Sequence, residues 1–293
     1  MIDTTQFKHL YPFESNWLDL DGIRYHYLDE GPRDAPVVVM LHGNPTWSFY
    51  YRTLIPAISK NHRVIVPDHI GCGLSDKPQK YTYNLEQHIQ NLETLLTHLG
   101  IEQMSLVVHD WGGAIGMGYA IRHPKSVSRF VIFNTGAFVL KKLPKRILIC
   151  RPKYFGAVLV RGFNAFAGVA TYQGVTATKM STQLRAGYLA PYNNWDNRIA
   201  IHRFVEDIPW EDDHPTRPLL EEIDKGLTQF KDYPMLIIWG GKDFCFTERD
   251  FFSEWQRRFP RASTYIFADA GHYIVEDKHK EIVPLVEKFL NKN

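Results

Sequence analysis

Val107-Val108-His109-Asp110-Trp111-Gly112-Gly113-Ala114-Ile115-Gly116 is the stretch whose reading decides the fold. Two branched apolar residues close a buried strand, small residues fill a tight turn, and a glycine-rich segment opens a helix. A strand–turn–helix of this kind lifts the residue at its tip clear of the sheet and presents it as a nucleophile. The tip here is Asp110, at a position where a serine is usual. A serine hydroxyl needs a base to deprotonate it, whereas a carboxylate is already an anion at neutral pH. Asp110 therefore suits attack on an electrophilic carbon that carries its own leaving group.

Outward from this elbow, the runs at 37–41, 64–66, 104–108 and 130–133 are short, continuous and rich in branched residues, as buried parallel strands are. Helical patterns lie between them at 85–99, ending at Gly100, and at 113–122, stopped before Pro124. Residues 17–20 and 23–29 flank Asp21-Gly22 and predict a hairpin. After Asn134 the pattern changes, and residues 137–227 are aromatic and helical without strand-like runs. Alternation returns with a strand at 235–239, a helix at 248–258, a strand at 264–267 and a last helix ending at Leu290. The expected architecture is α/β, a mostly parallel sheet built from residues 1–136 and 228–293. Residues 137–227 are expected to form a helical lid inserted after the sixth strand.

Composition is that of an ordinary globular chain: 293 residues, 44% hydrophobic and 23% charged. No apolar run is long enough to span a membrane. The opening Met1-Ile2-Asp3-Thr4-Thr5-Gln6 lacks the features of an export signal, so a cytoplasmic location is expected. Cys72, Cys150 and Cys245 are odd in number and lack metal-ligand spacing, which predicts free thiols and no metal. The net charge of +2 hides an asymmetry, because the stretch 111–195 has twelve Lys and Arg and no Asp or Glu. Its densest part is Lys141-Lys142-Leu143-Pro144-Lys145-Arg146. A solvated face accounts for such charge, and docking of an acidic partner or membrane is the functional alternative. No nucleic-acid motif accompanies it.

Three further signals fall just past predicted strand ends. They are Asp243 in Trp239-Gly240-Gly241-Lys242-Asp243, His272 in Asp269-Ala270-Gly271-His272-Tyr273, and the early Leu41-His42-Gly43-Asn44-Pro45-Thr46-Trp47. Alone, each is a common turn or cap. Together they give nucleophile, acid and base in the chain order of an α/β-hydrolase, with a backbone N–H near Asn44 for an oxyanion.

The segments HGNPTWSFYYR (42–52), PDHIGCGLSDKP (67–78), HDWGG (109–113) and the Asp243 and His272 loops resemble the haloalkane dehalogenases over nearly the whole chain. The resemblance implies Asp110 as nucleophile, His272 as base, Asp243 as its orienting acid, and Asn44 and Trp111 as side-chain donors to a departing halide. Some members of that family carry the acid as a Glu after the strand preceding the lid. This chain has Asn134 there, so the acid role falls to Asp243.

The same branch resembles the β-lactone decarboxylases of bacterial long-chain olefin biosynthesis, notably at 159–166 and 187–192. The leading expectation is carbon–halogen cleavage to alcohol and halide through an ester on Asp110. The alternative is decarboxylation of a β-lactone to a long-chain alkene and CO2. Epoxide hydrolysis is a third reading, and a hydrolase-fold scaffold is the non-enzymatic one. No cofactor is implied. The expected partners are a small hydrophobic substrate, a halide ion and protein partners at the basic lid.

Overall fold

The computed structural model describes residue 2 and residues 4–139 and 143–292. Eight strands form one sheet: β1 (Asn16–Leu20), β2 (Ile23–Glu30), β3 (Val37–Leu41), β4 (Arg63–Pro67), β5 (Met104–Val108), β6 (Val127–Phe133), β7 (Met235–Gly240) and β8 (Ser263–Phe267). Their spatial order is β1-β2-β4-β3-β5-β6-β7-β8. The hairpin β1–β2 and the β2–β4 pair are antiparallel, and every later pairing is parallel. This is the mostly parallel α/β sheet expected. β6 starts earlier than its apolar run, because Val127 and the more open Arg129 still pair with β5, across a register shift that skips Ser128.

Side-chain alternation divides the interior into two cores. Val39 and Leu41 of β3, Leu106 and Val108 of β5, and Ile237 and Trp239 of β7 face one side. Val38, Met40, Val107, Leu236 and Ile238 face the other. Burial on both faces is why these strands read as continuous apolar runs. The first core is covered by the helix Leu85–His98, whose buried Leu85, Ile89, Leu92 and Leu96 recur at helical spacing. Asn84 caps it by accepting from the Gln87 N–H at 2.9 Å. The last helix, Ile274–Leu290, covers the second core with Ile282 and Val286. The predicted 248–258 helix begins as a wide turn, Glu248–Phe252, and becomes α-helical only at Ser253–Arg258.

Between β6 and β7 the described residues form short helices and no strand; the longest are Thr182–Leu189, Ile199–Glu206 and Arg217–Gly226. Two carboxylates of the last helix bind this segment to the core. Glu276 pairs with Arg52 and accepts from the Tyr188 hydroxyl at 2.5 Å. Asp277 accepts from the backbone N–H groups of Thr176, Ala177 and Thr178 at 2.9–3.1 Å, and from Gly271 at 2.8 Å. Of the basic stretch, Arg151 pairs with Glu211, while Lys145, Arg146 and Lys153 have no carboxylate partner among the described residues. Lys141 and Lys142 lie outside the described residues.

Candidate active site

Asp110 stands at the end of β5, with φ 53° and ψ −127°, as the cap of the helix Trp111–Arg122. Such a left-handed conformation in a non-glycine residue costs roughly 1–3 kcal/mol and persists only where the surroundings enforce it. They do: the Asp110 N–H donates to the Asn134 carbonyl at 3.0 Å, and the Thr135 hydroxyl donates to the Asp110 carbonyl. The glycines allow the approach. A Cβ on Gly112 would lie 2.1 Å from the Leu41 carbonyl oxygen, and one on Gly113 would lie 1.9 Å from Thr135 Oγ1.

The Asp110 carboxylate is buried and accepts the Asn44 backbone N–H at 2.6 Å on Oδ1. Gly43 passes so close that a Cβ there would sit 2.0 Å from the same oxygen. Burial raises the Asp110 pKa; the charge of His272 and the N–H groups of Asn44 and Trp111 oppose that shift without cancelling it. The backbone N–H expected near Asn44 and that of Trp111 therefore converge on this carboxyl group.

His272 follows β8. Its Nδ1–H donates to Asp243 Oδ2 at 2.7 Å, while Nε2 faces Asp110 Oδ2 at 3.6 Å. Asp243, past the end of β7, has its other oxygen held by the N–H groups of Cys245 at 2.7 Å and Phe246 at 3.0 Å. That fixes the carboxylate and, through it, the imidazole tautomer. Burial pushes the His272 pKa down, but the charges of Asp243 and Asp110 outweigh it, so the ring titrates above its ordinary value. Asn134, at the end of β6, is occupied structurally: Nδ2 donates to the Gly240 carbonyl at 3.2 Å and Oδ1 accepts the Gly240 N–H at 2.8 Å.

Asn44 and Trp111 also come together here, both positioned by the helix Ile199–Glu206. Asn44 Nδ2 donates to the Ile201 carbonyl at 3.1 Å, and its Oδ1 is buried without a hydrogen-bond partner among the described residues. The Trp111 ring packs on Phe204, with centroids 5.2 Å apart. All five residues singled out from sequence thus meet at one point. Sequence reasoning missed Ile201, whose contribution is a backbone carbonyl and leaves no signal in residue identity. It also missed Asp277, which reads as an ordinary acid in the first turn of a helix. Among the described residues no group of His, Cys, Asp and Glu has the arrangement of a metal site.

Two apolar cavities converge on Asp110. One runs past Trp111 and is lined by Leu85 and Ala114 and, from the segment between β6 and β7, by Val205 and Leu220. The other runs past His272 and is lined by Leu159, Val169 and Ala170. Asn44, Asp110, Ile147, Phe166 and Cys245 line both. Ile147 and Phe166, from the segment between β6 and β7, and Cys245, past β7, thus lie between the two.

Residues 36–279 match the alpha/beta hydrolase fold family. The chain is 47% identical to the cis-3-alkyl-4-alkyloxetan-2-one decarboxylase of Shewanella oneidensis, an alignment covering 100% of this chain and 91% of that protein. It is 32% identical to haloalkane dehalogenase 2 of Mycobacterium tuberculosis, covering 98% and 99%. Among solved structures, a putative ancestral haloalkane dehalogenase superposes with a TM-score of 0.85 at 26% identity, covering 94% of this chain and 98% of that one.

Proposed function

The chain belongs to the α/β-hydrolase family that includes the haloalkane dehalogenases and the oxetanone decarboxylases, and from that premise we propose that it decarboxylates 2-oxetanones bearing alkyl chains on C3 and C4, with Asp110 as nucleophile. The observation that carries this reading is the pair of apolar cavities meeting at one carboxylate. A substrate with chains on adjacent ring carbons needs two such lobes diverging from the reacting atoms, and a single-chain haloalkane needs one. The relative at 47% identity supports the same substrate class.

In this mechanism an Asp110 oxygen attacks C4 from the side opposite the ring oxygen. The C4–O bond breaks, an alkyl ester forms on Asp110, and the former ring oxygen becomes a substrate carboxylate. Side-chain N–H groups of Asn44 and Trp111 receive that carboxylate, since a departing anion in an apolar site needs donors aimed at it. Inversion at C4 leaves the ester and the carboxylate antiperiplanar. The carboxylate then leaves as CO2, its C–C electron pair forms the alkene, and Asp110 departs with both original oxygens. A cis ring gives a cis alkene, and no water is consumed. His272, oriented by Asp243, supplies positive charge beside Asp110.

The second reading, dehalogenation, is favoured by the Asn44–Trp111 pair and by the 32% identical dehalogenase. There the halide leaves from the attacked carbon, and His272 activates water that hydrolyses the ester at its carbonyl. That step places a solvent oxygen in Asp110. The experiment is a single turnover in H2¹⁸O, with enzyme in excess over a cis-3,4-dialkyl-2-oxetanone or a 1-bromoalkane. We expect alkene and CO2 from the lactone, abolished in Asp110→Asn, with the Asp110 peptide unlabelled. Bromide release with ¹⁸O in Asp110, and no alkene from the lactone, would overturn the proposal in favour of dehalogenation. Residues 137–227 act in both readings as the lid, and their Lys145 and Lys153, without a carboxylate partner among the described residues, support an anionic docking partner.

A further inference from the structure

We propose that the two lobes treat the two alkyl chains unequally: the lobe beside Trp111 limits the length of one chain, and the lobe beside His272 lets the other run out onto the lid surface. This rests on the β-lactone reading above.

The asymmetry lies in what closes each lobe. None of the described residues lining the Trp111 lobe is exposed, and Leu85, Leu220 and Phe251 among them are each 6% exposed or less. Four residues lining the His272 lobe are exposed: Arg146, Ile149, Val169 and Gln173. A methylene chain in the first lobe stops where the core begins. Adding even one methylene to a filled, close-packed space strains it. A chain in the second lobe emerges between the turns Lys145–Leu148 and Ala167–Gln173.

What spans that opening is weak. Arg146 donates to Gln173 Oε1 at 2.7 Å and lies 4.4 Å over the Phe244 ring. Neither residue is buried and Arg146 has no carboxylate partner among the described residues, so swinging the pair aside breaks no ion pair. Outside the mouth an emerging chain meets apolar side chains. Ile149, Phe155, Val158, Val169 and Tyr172 are all exposed within the same segment. Such surface keeps the overhanging chain partly out of water.

The test uses two panels of single-enantiomer cis-2-oxetanones, one varying the C3 chain with C4 fixed, the other the reverse, with alkene formation as readout. In one panel kcat/KM should fall at least tenfold past a definite length, and in the other it should stay within about threefold. Leu220→Trp should shorten the cut-off in the first panel only. Ala170→Trp should lower turnover of long chains in the second panel only. If Leu220→Trp fails to fold, Leu220→Ala should lengthen the same cut-off. Matching cut-offs in both panels, or variants that act on both panels alike, would overturn the inference while leaving the decarboxylase reading intact. Absence of alkene from every lactone would instead remove that reading and this inference with it.

Discussion

Asn134 and Gly240 exchange two hydrogen bonds, Nδ2 to the glycine carbonyl at 3.2 Å and the glycine N–H to Oδ1 at 2.8 Å. The pair ties the ends of β6 and β7 together next to the loop that holds Asp243. Only an amide both donates and accepts in this way. Asn134→Asp should leave the Gly240 carbonyl without its donor and cost about 1–3 kcal/mol. Urea unfolding at pH 7 measures it; an unchanged midpoint would show the clamp to be unimportant.

Asp277 gathers the N–H groups of three consecutive lid residues and of Gly271, the neighbour of His272. Asp277→Asn sets an NH2 group against some of those donors. It should destabilise the chain by about 1–3 kcal/mol and speed proteolytic cleavage near 176–178. It should also lower kcat more than it raises KM, because the His272 loop shifts. Equal cleavage rates for variant and wild type would argue that the lid is held elsewhere.

Asp207 is buried, accepts the Leu85 N–H at 2.8 Å and the Thr216 hydroxyl at 2.5 Å, and burial pushes its pKa up to about 7 despite those bonds. In the unfolded chain the same carboxyl titrates near ~3.9. The folded state therefore holds the proton more tightly. The stability this gives is full below about pH 4 and is lost as pH rises through about 7. Asp207→Asn removes the titration, so its stability curve should be flatter across that window and lie above wild type at pH 8. Parallel curves for the two proteins would exclude Asp207 as the source.

His272 separates the two chemistries. Asp110 must be an anion in both, and its raised pKa makes the rate climb with pH through that titration. Ester hydrolysis also needs neutral His272, whose pKa is raised, so bromoalkane turnover should climb again at higher pH. Alkene formation needs no base, so it should show one ascending limb and then decline modestly as His272 loses its proton and with it the positive charge beside Asp110. His272→Phe should trap an alkyl ester on Asp110 with a bromoalkane, visible by mass spectrometry, yet keep alkene formation within about tenfold. A loss of the ~10²–10⁴-fold size typical of a general acid–base group would place His272 in the decarboxylation itself.

The fold and the five site residues were legible because their signals are local. The Gly112-Gly113 pair is demanded by contacts with Leu41 and Thr135, and the acid and base sit one turn past strand ends. The segment between β6 and β7 was legible only as aromatic and helical. Its helices are short, and their placement depends on Glu276, Asp277 and backbone groups whose partners lie about a hundred residues away in the chain. The division of the cavity by Ile147, Phe166 and Cys245 was likewise invisible, since three common apolar residues acquire that role only in space. Sequence alone put dehalogenation first, because the Asn44–Trp111 pair, which the resemblance implies as anion donors, is readable in one dimension and the second lobe is not.

The hydrogen bond from Asn44 to the Ile201 carbonyl bears on how such enzymes diversify. The segment proposed above as the lid is the natural place to exchange substrates, yet its Ile201 carbonyl also aims the amide beside Asp110. A transplanted lid of different backbone path would leave Asn44 free to rotate, and the graft would lose rate on every substrate before gaining any new one. Evolution toward other chains is therefore easier through side chains lining the lobes than through wholesale replacement of the lid.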